Sequence, residues 1–569
     1  MKTIPSVPCP LALLVTFAVG LASPLAAQTG PLSTAERSRF TETSRYAEVT
    51  AFVRELQRLS PMVRVERLAT TPEGRDLPML VIGDPVPTSP ADLRGDDRAV
   101  VYIQANIHGG EVEGKEAAQM LARDLVLGKT PPYLDRLVLL IVPLFNADGN
   151  ERISPQNRTN QVGPAGGVGE RYNGQHLDLN RDGMKLETPE VRGLIANALE
   201  RWDPVFFLDS HTHNGSYHQE PVTWVWGLNP NGDRGIRTYM ETVLLPDVTN
   251  RMRKAYGTLT IPHGDFVDPT DPAQGWVPLG PEPRYLSNYV GLRNRFSVLN
   301  EQYPYVDFET RVRGAYRLFL AFLDHLYQHR DDMVRLVREA DRGAIARGAA
   351  PSPEESFTLA SEAKPLDARL TIEGYVMEVT DAGNGRRRVR PTDRLRTYTK
   401  VPFLAHHVST RTVAYPHAYL ITVPDERVLD NLLAHGIVVE RLVESVTARV
   451  EEFTATSLEG SRRSNQGHYT STVAGAYATG ERAFAAGTLV VRTAQRLGPL
   501  AAALLEPESD DGLVVWNFFD RYLAAQWGNA PQPYPVYKAY EPAALVTERV
   551  TREGSSAQVG SGGSRRTRQ

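Results

Sequence analysis

His108 and Glu111 stand three residues apart, with Gly109 and Gly110 between them, where an apolar run over 99–105 gives way to a helical pattern from Glu111 to Leu127. The run is short, β-branched and bounded by charged and glycine-rich sequence, so it reads as a buried strand. After it, Ala117, Met120, Leu121, Ala122 and Leu125 recur at steps of three and four, the spacing of a helix face. The pair therefore flanks a strand-to-helix turn, with two glycines to let the backbone change direction. An imidazole and a carboxylate at such a corner can point to one side, as two ligands of one metal must. Alone, the spacing fits an acidic first helical turn equally well; the motifs downstream decide between them.

Four such motifs follow: 142–149 (VPLFNADG), 177–182 (LDLNRD), 207–213 (FLDSHTH) and 296–301 (FSVLNE). The third supplies His211 and His213, either able to complete a ligand set. In the second, a guanidinium fork (Arg181) beside an amide (Asn180) suits bidentate capture of a carboxylate. The fourth ends an apolar strand on Glu301, where a carboxylate is costly unless it has work or a partner.

The elements that must position these residues alternate. Helical spacing over Tyr46–Leu59 precedes strand candidates at 63–68 and 77–82, and further apolar runs follow at 99–105, 137–144, 204–209 and 295–300. Between them, 188–202, 240–253 and 311–346 read as helices, 150–176 and 270–288 as irregular, and 29–43 as a loosely attached polar segment. Alternation of this kind implies an α/β domain built on a mostly parallel mixed sheet flanked by helices. His108, His211 and Glu301 each fall just past the C-terminal end of a strand, the edge where ligands of open α/β sheets gather.

In their order and spacing these motifs resemble the M14 zinc carboxypeptidases, the carboxypeptidase A-like metallopeptidases, over roughly Tyr46 to His329. The resemblance implies one Zn2+ per chain, held by the two-His, one-Glu set known from carboxypeptidase A, here His108, Glu111 and one histidine of 211 and 213. His211 is preferred because it stands two residues after Asp209 and closest to the strand end. It further implies that Glu301 is the general base, with Glu309 as competitor, and that Asn180 and Arg181 bind the substrate's terminal carboxylate. Asp178 would accept a hydrogen bond from the far nitrogen of His108. Arg158, with Arg152 behind it, would steady the oxyanion. For the family's mobile tyrosine, Tyr285, Tyr289, Tyr303 and Tyr305 all qualify. Arg284, Arg293 and Arg295 read as solvated surface residues rather than an acid-selective pocket.

Length and composition frame the rest. At 569 residues two domains are expected, and 41% apolar with 23% charged residues is an ordinary globular balance. A formal charge of −4 without a basic stripe argues against nucleic acid. Residues 1–27 have the layout of a secretory signal peptide, with an apolar stretch too short for stable membrane insertion. Its removal takes the only cysteine, Cys9, so a metal site must use histidine and carboxylate. The expected organisation is a signal peptide (1–27), a zinc peptidase domain (28–347), a linker (348–365), a β-rich accessory domain (366–548) and a low-complexity tail (549–569). The resulting expectation is an exported (periplasmic or secreted) metallocarboxypeptidase acting on peptide or protein substrates. An M14-related amidohydrolase or deacylase, or a cell-wall peptide hydrolase using the same zinc site, is the alternative. A non-catalytic relative is disfavoured because none of His108, Glu111, His211 and Glu301 is missing.

Overall fold

The computed structural model describes residues 30–551 except 214, 353, 382, 384–386, 525–531 and 543. The signal-peptide reading of 1–27 and the tail from 552 on lie outside the described residues. Among the described residues no helix is long and apolar enough to cross a membrane.

The strands of the first half are β1 (Val63–Thr70), β2 (Asp76–Ile82), β3 (Ala99–Ala105), β4 (Leu137–Val142), β5 (Phe206–Thr212), β6 (Val222–Trp226), β7 (Thr260–Pro262), β8 (Asp265–Phe266), β9 (Trp276–Val277) and β10 (Phe296–Gln302). Eight of them form one sheet in the order β1-β2-β4-β3-β5-β10-β6-β7. Its centre, β4-β3-β5-β10, is parallel, while β1-β2, β2-β4 and β10-β6 pair antiparallel. Every residue of β3, β4 and β5 is buried, which is why these strands are apolar on both faces. The helices Glu113–Val126 and Phe308–Ala349 pack on each other, the second 42 residues long and broken in its dihedrals at His329.

The segment expected to be loose is held. Ser33 caps a short helix, Thr34–Arg37, and the buried Glu116 carboxylate accepts bonds from the Thr43 hydroxyl (2.9 Å) and from the Ser44 amide (2.7 Å) and hydroxyl (2.9 Å). A buried acid with so many donors pins the chain against the helix that carries it. The region read as irregular, 270–288, runs at its end into a helix, Leu286–Leu292, and 189–199 is a helix that widens into a π turn.

The second half comprises β11 (Ser356–Lys364), β12 (Arg369–Asp381), β13 (Arg387–Pro402), β14 (His406–Ala414), β15 (Ala418–Ile421), β16 (Glu440–Leu442), β17 (Val446–Gly460), β18 (Ser471–Phe484), β19 (Leu489–Arg492), β20 (Gln532–Pro533), β21 (Val536–Ala539) and β22 (Thr547–Arg549). β11 runs through the stretch read as a linker, pairing with β14, and β22 includes the first residue of the stretch read as tail. All pairings here are antiparallel, with β12-β13 and β17-β18 as long hairpins. The helices Glu426–Ala434 and Gly498–Leu505 accompany them. One hydrophobic core passes through both halves, from Ala35 to Val536.

Candidate metal centre

The turn after β3 is built by Asn106. It takes a left-handed backbone (φ 63°), and its side-chain amide donates to the carbonyls of His108 (3.2 Å), Gly109 (3.2 Å) and Glu111 (3.0 Å). The two glycines do something other than expected: neither has a positive φ. A Cβ on Gly109 would sit 2.4 Å from the backbone of Gly149, and one on Gly110 2.7 Å from the carbonyl of Gly169. They are there so that neighbouring backbone can close over the corner. Asn146, which caps the short helix Ala147–Glu151 after β4, braces it by donating to the Ile107 carbonyl (3.1 Å).

His211 is the penultimate residue of β5, and Glu301 faces it across the parallel pairing with β10. In-register residues of adjacent strands project to the same face, so the two side chains share the sheet edge. His108, Glu111 and His211 thus meet, their ligand atoms all within 4.8 Å of one another. Glu111 lies 2.9 Å by one oxygen from His108 Nδ1 and 2.9 Å by the other from His211 Nδ1. Each histidine has its far nitrogen near a carboxylate: His108 Nε2 is hydrogen-bonded to Asp178 at 3.0 Å, and His211 Nε2 lies 3.0 Å from Asp209 in an ion-pair contact that is not aligned as a hydrogen bond. Carboxylates there keep the proton on Nε2 and free Nδ1 to bind a cation. Two imidazoles and a carboxylate, converging from two strand ends with both rings oriented from behind, fit a zinc ion.

His213 lies outside this group. β5 ends at Thr212, and His213 enters a separate buried set, its ring 4.9 Å from that of His263 and 6.0 Å from that of His218. Burial, then the neighbouring His218, pushes its pKa down to about 3. A second metal-capable group exists among the described residues, Asp247, His325 and His329, but Arg251 Nε already donates to the Asp247 carboxylate at 2.6 Å.

The charges around the centre are strongly shifted. Burial works against ionising Glu111, yet His108 and Arg158 hold it well below the usual carboxylate range. Burial likewise opposes charge on His211, while Asp209 and Glu111 raise its pKa well above the ordinary value. Glu301 moves the other way, to about 8, because burial outweighs the pull of His211 and Glu111 adds repulsion. One of its oxygens is buried without a hydrogen-bond partner.

Two arginines face the group. Arg158, in the loop after β4, donates to Glu111 (2.9 Å) and to the Thr212 carbonyl (2.7 Å). Arg171 donates to Asp178 (2.9 Å), with a nitrogen 3.9 Å from Glu111. Arg152 points elsewhere, pairing with Glu73 and Glu170. Arg181 packs over the Tyr285 ring at 4.4 Å and lies 3.8 Å from Asp178, while the Asn180 carbonyl oxygen of the side chain accepts from the Leu286 amide (2.9 Å). Of the other tyrosines, Tyr289 binds His435, Tyr303 packs on His218 and Tyr305 stacks on Tyr217. Glu309 is solvent-facing and paired with Arg313.

Of the arginines read as solvated surface, Arg293 and Arg295 are buried and Arg284 is half-buried. Arg293 pairs with Glu200, Arg295 with Asp203 and Asp341, and Arg284 with Asp511. These partners come from distant parts of the chain, so no local pattern announces them. Asp209 does carry a local signal, because its two-residue offset from His211 on a strand places both on one face. Arg171 had no comparable signal.

Residues 49–215, which include His108, Glu111 and His211, match the family described as zinc carboxypeptidase. The chain is 22% identical over 470 residues to carboxypeptidase 2 of Trichophyton tonsurans, covering 78% of each, and 21% identical over 480 residues to that of Trichophyton rubrum, covering 79% of this chain and 80% of the relative. Among solved structures, metallo-carboxypeptidases of Burkholderia cenocepacia (20% identity, 49% of this chain, 68% of that chain, TM-score 0.36) and Pseudomonas aeruginosa (20%, 50%, 69%, 0.37) are similar. Over residues 49–215 the chain is similar to the M14 zinc carboxypeptidases, and over most of its length it is similar to fungal carboxypeptidases.

Proposed function

We propose that this protein is an exported zinc carboxypeptidase that removes C-terminal residues from peptides, using one Zn2+ held by His108, Glu111 and His211. The observation that carries the reading is the convergence of those three side chains beside Glu301 on one sheet edge. When bound, zinc supplies Lewis acidity toward a water molecule and the scissile carbonyl. Glu301, at the same edge with one oxygen unpartnered, takes the proton from that water and hands it to the leaving amine. Its raised pKa belongs to the metal-free centre, and a divalent cation nearby lowers it. Arg158 faces the growing negative charge on the carbonyl oxygen, and Arg171 adds a second positive charge on the same side. Asn180 and Arg181 bind the substrate's free carboxylate, and Asp178 orients His108.

The assignment of residues 28–347 to the peptidase domain and 366–548 to an accessory β-rich domain is part of this proposal, as is export through the leader at 1–27. Free-acid and C-terminally amidated versions of one peptide test it, with products read by mass. Release of single C-terminal residues from the free acid only supports a carboxypeptidase; equal or internal cleavage points to the amidohydrolase or endopeptidase alternative.

A further inference from the structure

The hairpin β17-β18 belongs to the second half of the chain, yet its tip reaches the centre. Gln466, in the turn between Gly460 and Ser471, accepts a hydrogen bond of 2.7 Å from the backbone amide of Asp178. Asp178 is the residue whose carboxylate holds His108 Nε2 and Arg171 and lies next to Arg181. Two residues further on, His468 Nε2 lies 2.8 Å from Glu187, and its Nδ1 lies 2.9 Å from Asn517. The tip is thus fastened on both sides of the 178–187 segment.

The turn itself is unusual in its residue choice. Asn465 and His468 close it with paired backbone bonds (2.7 and 2.9 Å), and its two central residues, Gln466 and Gly467, have φ of 54° and 82°. Two consecutive left-handed residues define the type I′ turn, which favours Asn-Gly or Gly-Gly. Glutamine pays a steric penalty there that asparagine largely avoids, and such strain persists where a side chain has a use. Its use here is reach: the longer side chain spans to the main chain of Asp178. The second half also holds the segment that carries Tyr285. Asp511 accepts from the backbone amide of Arg284 (2.6 Å), the residue before Tyr285, on which Arg181 rests.

We infer that the β17-β18 tip is a wall of the substrate cleft, and that Gln466 is a specificity-determining residue at the subsite for the peptide's terminal carboxylate. The inference rests on the reading of Arg181 as the carboxylate's partner. A peptide seated on Arg181 meets the tip beside its chain end, so charge at position 466 is felt by a free carboxylate and not by an amide.

The test compares kcat/KM for a free-acid peptide and its C-terminal amide, measured with zinc-loaded full-length wild type, Gln466→Glu and Gln466→Lys. Each ratio is taken on one preparation, so it is independent of the fraction of active enzyme, and zinc content is measured alongside. Gln466→Glu keeps an acceptor for the Asp178 amide and adds one negative charge; the acid-to-amide ratio should fall by roughly 3- to 10-fold, mainly through KM on the acid. Gln466→Lys should leave the ratio at or above that of wild type. A discriminating wild type whose ratio moves less than about twofold in both variants overturns the inference alone. A wild type that cuts acid and amide equally overturns the carboxylate reading, and this inference with it.

Discussion

The two halves of the molecule bury their strands differently, and they contribute differently to the centre. In the first half, β3, β4 and β5 are covered on both faces, and their ends bring His108, Glu111 and His211 to one edge. In the second, β12, β17 and β18 are only partly buried, with long exposed stretches, and they form long hairpins. A parallel sheet fixes the ends of its strands from both sides, which suits ligands that must be held to fractions of an ångström. A two-stranded hairpin is a lever: its tip can be placed far from its own core, as Gln466 and His468 are. On this view the first half holds the reacting groups and the second shapes what reaches them.

The contrast can be broken most sharply at Glu301. Glu301→Gln keeps size and removes proton transfer, so kcat should fall by at least about 10²-fold while zinc content stays unchanged. Near-normal kcat would remove the base from the sheet edge altogether. Arg181→Ala should cost the free-acid substrate roughly 10- to 100-fold in kcat/KM, and the amidated peptide little, because both changes delete one charge-assisted contact. Equal losses on both substrates would mean that Arg181 supports structure instead.

A smaller effect is expected behind the ligands. Asp209→Asn should weaken zinc binding by about tenfold or more in a competition titration with a chelator, since His211 Nε2 loses its anionic partner. Unchanged affinity would show that Asp209 does not orient the ring. The subtlest effect is one of stability. In metal-free protein, burial and then the Glu111 charge hold the Glu301 carboxyl up near 8 against an ordinary 4.5. A raised carboxyl gives its full stabilisation below the unfolded value and loses it as pH climbs through the folded one. The Tm of metal-free Glu301→Gln relative to wild type should therefore rise between about pH 5 and 8 and level off above. A difference that stays flat over that window would rule out a raised Glu301.

Much of this was readable before any coordinates. β-branched apolar runs announced the buried strands, and helical spacing announced Tyr46–Leu59 to the residue. The long exposed hairpins of the second half were harder, because solvent-facing strands such as β13 and β14 carry many charged residues and little alternation. The same limit hid the role of 33–44, whose polar residues looked free until Glu116 was seen to bind them.

What the sequence by itself determined is the chemistry on offer: a His-x-x-Glu corner, two histidines near a strand end, a strand ending in Glu301 and an Asn-Arg pair, in an order that resembles the zinc carboxypeptidases. These are local matters, settled by residue type, strand periodicity and turn formation. Tertiary structure alone decided which histidine joins the pair, since the choice turned on β5 ending at Thr212 and sending His213 toward His218 and His263. It also decided that Arg293 and Arg295 are buried with partners about 50 to 90 residues away in sequence, and that Gln466 reaches Asp178 across 288 residues. Long-range pairings leave no periodic trace in a chain, because their cost and reward are balanced only once distant segments meet.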